Sequence, residues 1–347
     1  MAPTVTSVHE SEPKVASIKT LAGSDALTSV PSEYAYIMDP NDKGDANDPE
    51  HSIPIIDFAL LTSASPDERA QMIQKLGKAC QEWGFFQVIN HGVPESLMKQ
   101  MIDACQRFFE LPEVEKKEFH TKNLLDPIKC GTSFNVAIDK VRLWRDYLKV
   151  IAHPKFNSLY KPAGYSEVSL EFSKRTRAVA TEILNGISES LGLEADYITK
   201  AMNWDRGCQI LAANYYPACP QPDLAIGIPP HTDHGLVTLL IQNDMCGLEV
   251  KHNDQWVLVN AAPGSFIVNY KSIWHRATVN NTSTRISIAV PHGPALDTPA
   301  VPIPDLLEKE GEKAKYIGMT YEKFMELQAS PAAYMMPCLD HLRVKDN

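Results

Sequence analysis

Thr284-Arg285-Ile286-Ser287-Ile288-Ala289-Val290 alternates in character residue by residue. In an extended strand, successive side chains point to opposite faces, so Ile286, Ile288 and Val290 share an apolar side while Arg285 and Ser287 share the other. The surrounding stretch, Cys208 to Val290, is built the same way: short apolar runs separated by Gly, Pro, Asn and Asp. That pattern predicts a β barrel of two sheets.

Upstream of this strand stand His231-Thr232-Asp233 and, much later, His275. On an extended segment His231 and Asp233 lie on one face, with Thr232 turned away. Two imidazoles and one carboxylate form the facial set that grips Fe(II) and leaves coordination positions open for a co-substrate and O2. The face shared by Arg285 and Ser287 suits a small dicarboxylate, because the guanidinium fork makes two parallel charge-assisted hydrogen bonds and the hydroxyl adds a third donor. A metal beside an anion anchor points to a chelating keto acid. The weight lies in the order His-x-Asp, later His, then Arg-x-Ser, rather than in any one element.

With these residues in order, the chain resembles the plant 2-oxoglutarate and Fe(II)-dependent dioxygenases, in the branch of flavonoid and related hydroxylases. The resemblance runs from about Ile18 to Ser330 and includes Pro54-Ile55-Ile56-Asp57-Phe58, Trp83 to Val93, Phe108 to Pro112 and Gly131-Thr132-Ser133-Phe134. It continues through Trp144-Arg145-Asp146-Tyr147, Asn214-Tyr215-Tyr216-Pro217, His231-Thr232-Asp233, Lys271-Ser272, His275-Arg276 and Arg285-Ile286-Ser287. It implies an α+β fold: a double-stranded β-helix (jelly-roll) core flanked by helices, with an N-terminal extension of helices and strands. It further implies Fe(II) on His231, Asp233 and His275, and 2-oxoglutarate held by Arg285 and Ser287, with Tyr216 and Asn214 adding hydrogen bonds. O2 is the implied second co-substrate, ascorbate the reductant expected in vitro, and succinate and CO2 the co-products. The implied outcome is oxidation of a C–H bond by hydroxylation, desaturation or ring closure.

One departure from the family pattern bears on His275. Family members carry a turn, a short helical stretch and a Ser-Asn-Gly loop between the strand matching Gly264 to Asn269 and the segment starting at Tyr270, whereas here Asn269 runs straight into Tyr270. A short extended link spans two stacked sheets about 10 Å apart, at about 3.3 Å per residue, with little slack. A catalytically impaired ligand-binding homologue on the same scaffold is therefore the alternative to an active oxygenase. A zinc hydrolase using the same three residues around a bound water leaves Arg285 and Ser287 without a role.

Composition sets outer bounds. The chain has 347 residues, 44% hydrophobic, enough for a sizeable core. A formal net charge of −10 and no basic stripe argue against nucleic acid and anionic membranes as partners. The expected partner is a small molecule, largely apolar, acted on by a monomer. No apolar run is long enough for a bilayer, and the N-terminus lacks a basic start followed by an apolar run. Seven cysteines without a Cys-x-x-Cys pair predict reduced thiols and a cytoplasmic location.

Four regions are expected: a flexible lead-in over 1–50, a mostly helical N-terminal region over 51–200, the jelly-roll core and a following helix over 201–330, and a tail over 331–347. One helix starts at Ser65-Pro66-Asp67-Glu68, a capping box with Pro in the first turn, and Ile73, Leu76, Cys80 and Trp83 follow at helical spacing. A strand over Phe85 to Asn90 and a helix over Pro94 to Phe109 come next. Another helix spans Ser169 to Leu191, with Val179, Ile183, Ile187 and Leu191 on one stripe and Gly192 as its stop. Helix is predicted to return over Pro304 to Ser330, with Thr320 as a cap. His234 is expected to face away from a metal bound at Asp233, and His91 to make a structural hydrogen bond. Phe134, Phe86 and the 123–129 loop are candidates to line an apolar substrate pocket.

Overall fold

The computed structural model describes residues 17–37, 52–121, 123, 126–133, 141–270, 272–329 and 338–344. A short helix α1 (Ile18–Ala22) is followed by strand β1 (Ile55–Asp57), helix α2 (Phe58–Thr62) and helix α3 (Pro66–Glu82). The predicted box forms: Ser65 accepts from the Glu68 amide while the Glu68 carboxylate accepts from the Ser65 amide, satisfying two donors at the start of α3. Ile73, Leu76 and Cys80 are buried, whereas Trp83 lies just past the helix and stacks on His252 at 3.7 Å. Strand β2 (Phe85–Ile89), helices α4 (Glu95–Glu110) and α5 (Glu113–Lys116), and strands β3 (Ile128–Thr132) and β4 (Asp146–His153) follow.

Helix α6 (Tyr165–Ser190) starts four residues earlier than expected, after Gly164 in the left-handed region. Val179, Ile183 and Ile187 are buried, but Leu191 is beyond the helix and partly exposed, and the chain turns at Gly192 with φ 74°. Helix α7 (Tyr197–Ala201) leads into the strands β5 (Gln209–Tyr216), β6 (Ile228–His231), β7 (Val237–Gln242), β8 (Leu248–His252), β9 (Gln255–Leu258), β10 (Phe266–Asn269), β11 (His275–Ala277) and β12 (Arg285–His292).

Among the described residues these strands make a large sheet, β1-β2-β10-β7-β12-β5-β4-β3, and a smaller one, β6-β11-β8-β9. The large sheet is amphipathic by parity. Phe86, Leu148, Leu211, Leu239, Val268 and Ile288 face α3, α4 and α6 in one continuous core, while the alternate residues face the smaller sheet. A second core, including Phe85, Leu248, Val250 and Ile267, fills part of the space between the sheets. This is the expected α+β jelly roll with helices flanking one face.

Two expectations need correction. Within the 1–50 lead-in, residues 17–37 are built into the fold: Ile18 and Tyr34 are buried against Trp144, and Asp146 accepts hydrogen bonds from the Ile18 and Lys19 amides. The polar composition hid this because two large apolar side chains suffice to anchor a short strap. The predicted helix over Pro304 to Ser330 is broken. Helix α8 (Pro304–Glu310) ends at Gly311 in the left-handed region, β13 (Pro299–Ala300) pairs with β14 (Met319–Thr320), and only then does α9 (Tyr321–Ala329) begin.

Candidate active site

The metal-binding candidates come together where the smaller sheet faces the larger. His275 on β11 pairs directly opposite His231 on β6, and their ring centroids lie 4.1 Å apart. Asp233 sits just past the end of β6 rather than inside a strand, yet its Oδ1 is 4.0 Å from His231 Nε2 and 3.5 Å from His275 Nε2. One ligand atom from each of the three lies within 4.8 Å of the others. Between β10 and β11, Tyr270 N donates to Gly84 O, and Lys251 N donates to Trp274 O just before His275. The shortened connection therefore delivers His275 to its two companions.

Both imidazoles are oriented by the chain. His231 Nδ1 is 2.9 Å from Pro229 O and His275 Nδ1 is 3.0 Å from Ile273 O. A carbonyl only accepts, so each Nδ1 carries the hydrogen and each Nε2 presents its lone pair to the cluster. Asn269 at the end of β10 donates to Asp233 Oδ2 at 3.0 Å, and Phe85 packs edge-on against the His275 ring. Burial, and then the neighbouring His275, push His231 down to about 3, so this imidazole is neutral. Burial alone would raise the Asp233 carboxyl, but His275 and then His231 outweigh it and hold it far below the ordinary range. Burial opposes the His275 cation, and Asp233 outweighs that too, leaving His275 raised. A divalent cation is chemically matched to two imidazole nitrogens and one carboxylate.

The anion anchor lies on the facing wall. Arg285 pairs with Tyr216, and Ser287 with Asn214, across β12 and β5, so all four side chains project into the same space. That space, about 70 Å³, is lined by all four together with His231, Asp233 and His275, while Ile228, Leu240, Leu248 and Ile267 supply apolar walls. Arg285 is 2% exposed, yet only its Nη2 is engaged, donating to Gln242 at 2.9 Å; its Nε and Nη1 have no hydrogen-bond partner among the described residues. Two buried guanidinium donors left open toward a cavity fit a carboxylate. Tyr216 lies beneath the guanidinium, 5.1 Å from ring to Cζ, in space that a side chain at Gly227 would fill.

Other candidates separate. Phe86 does not line this cavity: strand parity sends it into the helix-facing core, and its neighbour Phe85 takes the place expected of it. Phe134 and residues 124 and 125 lie outside the described residues, and Ile128 and Lys129 open strand β3. His234 turns away to meet Tyr321 Oη at 2.9 Å, and His91 binds Gly264 O at 2.7 Å, both as expected. Sequence reading missed Gln242, Asn269 and Phe85; their alternation within β7, β10 and β2 was visible, but the strand pairing that aims them at the site was not.

A jelly roll with this donor set defines a class of non-haem iron oxygenase. Residues 207–294 match the 2OG-Fe(II) oxygenase superfamily, and residues 53–168 match the family described as non-haem dioxygenase in morphine synthesis N-terminal. The chain is 41% identical over 309 residues to 2-oxoglutarate-dependent dioxygenase 19 of Oryza sativa subsp. japonica, covering 85% of this chain and 91% of that one. It is 37% identical to Protein DOWNY MILDEW RESISTANCE 6 of Arabidopsis thaliana, covering 77% and 83% respectively. The crystal structure of JOX2 in complex with 2OG, Fe and JA superposes with a TM-score of 0.82 at 28% identity, over 96% of this chain and 99% of that one. The chain belongs to the plant 2-oxoglutarate and Fe(II)-dependent dioxygenase family. It is an oxidoreductase that takes Fe(II) as cofactor and 2-oxoglutarate and O2 as co-substrates. Among the described residues no helix is long and apolar enough to cross a membrane.

Proposed function

We propose that this chain is a catalytically active dioxygenase that oxidises a C–H bond of a small, largely apolar plant specialised metabolite, working as a monomer. The observation that carries the reading is the placement of Arg285: a buried guanidinium with two open donors, in one cavity with His231, Asp233 and His275. In this reading His231, Asp233 and His275 hold Fe(II), and the two backbone-anchored Nδ1–H groups keep both Nε2 lone pairs aimed at it. Arg285 and Ser287 grip the distal carboxylate of 2-oxoglutarate, with Tyr216 and Asn214 beside it. Bound Fe(II), with 2-oxoglutarate and O2, supplies the oxidising power and leaves succinate and CO2. Ile228, Leu240, Leu248 and Ile267 exclude water from the space between.

Relatives include the rice protein named Flavanone 3-dioxygenase 2, 33% identical over 84% of this chain, and the solved JOX2 structure is a complex with 2OG, Fe and JA. Both fit a substrate that is a compact organic molecule. The test is succinate formation by purified protein with Fe(II) and 2-oxoglutarate, followed by incubation with plant extract and product masses. Gain of one oxygen denotes hydroxylation and loss of two hydrogens denotes desaturation or cyclisation. Chelation of the metal, or Asp233→Ala, should abolish succinate formation. A protein that binds 2-oxoglutarate and makes no succinate supports instead the impaired homologue that the shortened segment before His275 raises. Turnover without O2 or keto acid would revive a zinc hydrolase.

A further inference from the structure

The loop that carries Asp233 leaves a weakly laddered strand. Among the described residues β6 lies at the edge of the smaller sheet and pairs with β11 alone. Even that pairing is irregular: β11 advances two residues from His275 to Ala277 while β6 runs three from His231 back to Ile228. Pro229 and Pro230 stand in the gap and have no N–H to give to a ladder. Residues 232–236 then run outside helix and strand as far as β7, where Leu236 N donates to His292 O at 2.7 Å. A loop of this kind samples several arrangements unless something outside the sheet holds it, and ordering it when an ion binds would cost conformational entropy.

Two side chains of α9 bracket Asp233. Gln328 Nε2 donates to the Thr232 carbonyl at 2.9 Å, and Tyr321 Oη shares a hydrogen bond of 2.9 Å with His234 Nδ1. Tyr321 and Gln328 are two helical turns apart, so both project from one face of α9. The residues before and after Asp233 are therefore held from a single helix, while the Asp233 carboxylate itself accepts from Asn269 of β10.

The helix is seated for this task. Tyr321 is 3% exposed and packs with Met325 against Cys208 and Ile210. The amides of Tyr321 and Glu322 donate to Thr298 O and Leu296 O. Gly293 passes against the phenol: a Cβ there would lie 2.3 Å from Tyr321 Cζ and Oη, so the missing side chain makes room for the ring. A phenylalanine would fill the same seat, so packing alone does not call for the hydroxyl, and burying one is costly unless it finds a partner such as His234.

We propose that α9 is a positioning element of the metal centre, with Tyr321 and Gln328 holding the chain on both sides of Asp233 so that its carboxylate is set for Fe(II) before the ion arrives. This deepens the dioxygenase reading and rests on it for the ion. Neither residue lines the cavity of the metal-binding side chains, so both act through Asp233.

The test is calorimetric titration of the metal-free protein with Fe(II) under argon. Tyr321→Phe and Gln328→Met each keep the bulk of the side chain and remove one contact. Each should weaken Fe(II) binding about tenfold, and the double variant up to about 100-fold, the range for outer partners of metal ligands. A merely structural pair would lower the unfolding midpoint and leave the Fe(II) affinity of the folded protein unchanged, and that result overturns the proposal. A second measurement needs no variant, because an α9 that favours the ion must be favoured by the ion to the same degree. Amide hydrogen exchange over residues 321–329 of the unsubstituted protein should slow about tenfold when Fe(II) binds, and unchanged exchange there also overturns the proposal. A protein that takes up no Fe(II) at all overturns this proposal and the dioxygenase reading together, whereas Fe(II) uptake indifferent to all three variants overturns this proposal alone.

Discussion

Asn269, the last residue of β10 in the large sheet, donates a hydrogen bond of 3.0 Å to Asp233, which follows the smaller sheet's β6. This amide thus ties Asp233, the carboxylate proposed to bind iron, to the opposite wall of the barrel. It also fixes which oxygen of Asp233 is left for an ion: Oδ2 is engaged, and Oδ1 is the one near both imidazoles. Removing this support with Asn269→Ala should weaken iron binding about 10- to 100-fold, the range for outer partners of metal ligands. Metal titration of the variant, with its secondary structure checked, measures the effect; an unchanged affinity denies Asn269 its positioning role.

Arg285→Lys keeps the charge but loses the planar fork whose Nε and Nη1 are open to the cavity. The apparent KM for 2-oxoglutarate should rise about 10- to 100-fold, the cost of the lost charge-assisted pairing, while iron stays bound. Succinate formation against 2-oxoglutarate concentration gives the number. A KM unchanged by the substitution removes Arg285 from the co-substrate site.

Next to His275 on β11, Arg276 forms a buried ion pair of 2.6 Å with Glu249, its guanidinium stacked 4.2 Å over Trp256. Removing the carboxylate takes this partner from a buried guanidinium, so Glu249→Ala should destabilise the fold by about 3–5 kcal/mol. Denaturant titration would show it as a lower midpoint. A double replacement of both charges by apolar residues of similar volume should cost far less.

His292 at the end of β12 is fully buried, stacked against Trp204, and burial followed by Arg177 holds it at about 3. The folded value is below the unfolded value of about 6.5, so the neutral ring contributes stability above that pH, and the contribution is lost as pH falls toward the folded value. Unfolding free energy should therefore drop on acidification below about pH 6.5, with His292 supplying a slope of up to about 1.4 kcal/mol per pH unit. His292→Leu should unfold with a visibly shallower pH dependence across the same interval. Equal slopes for the two proteins would mean that this ring titrates normally.

Local rules in the sequence carried the strands and most helices, because each is encoded within a few residues: the capping box at Ser65, the parity of residues 284–290, the stripe through Val179, Ile183 and Ile187. They also marked His231, Asp233, His275, Arg285 and Ser287, since ligand chemistry and spacing are written in residue type and order, while Tyr216 and Asn214 came from the family resemblance. What only the folded molecule decided is which walls face each other. Phe85 rather than Phe86 meets the site because β2 is paired parallel to β1 and antiparallel to β10, and a slip by one residue would exchange their faces. His275 is brought opposite His231 because β11 is held between β6 and β8. Such pairings join residues far apart in the chain, and no local propensity encodes them; they are settled by burying the alternate faces of the large sheet against helices on one side and the small sheet on the other.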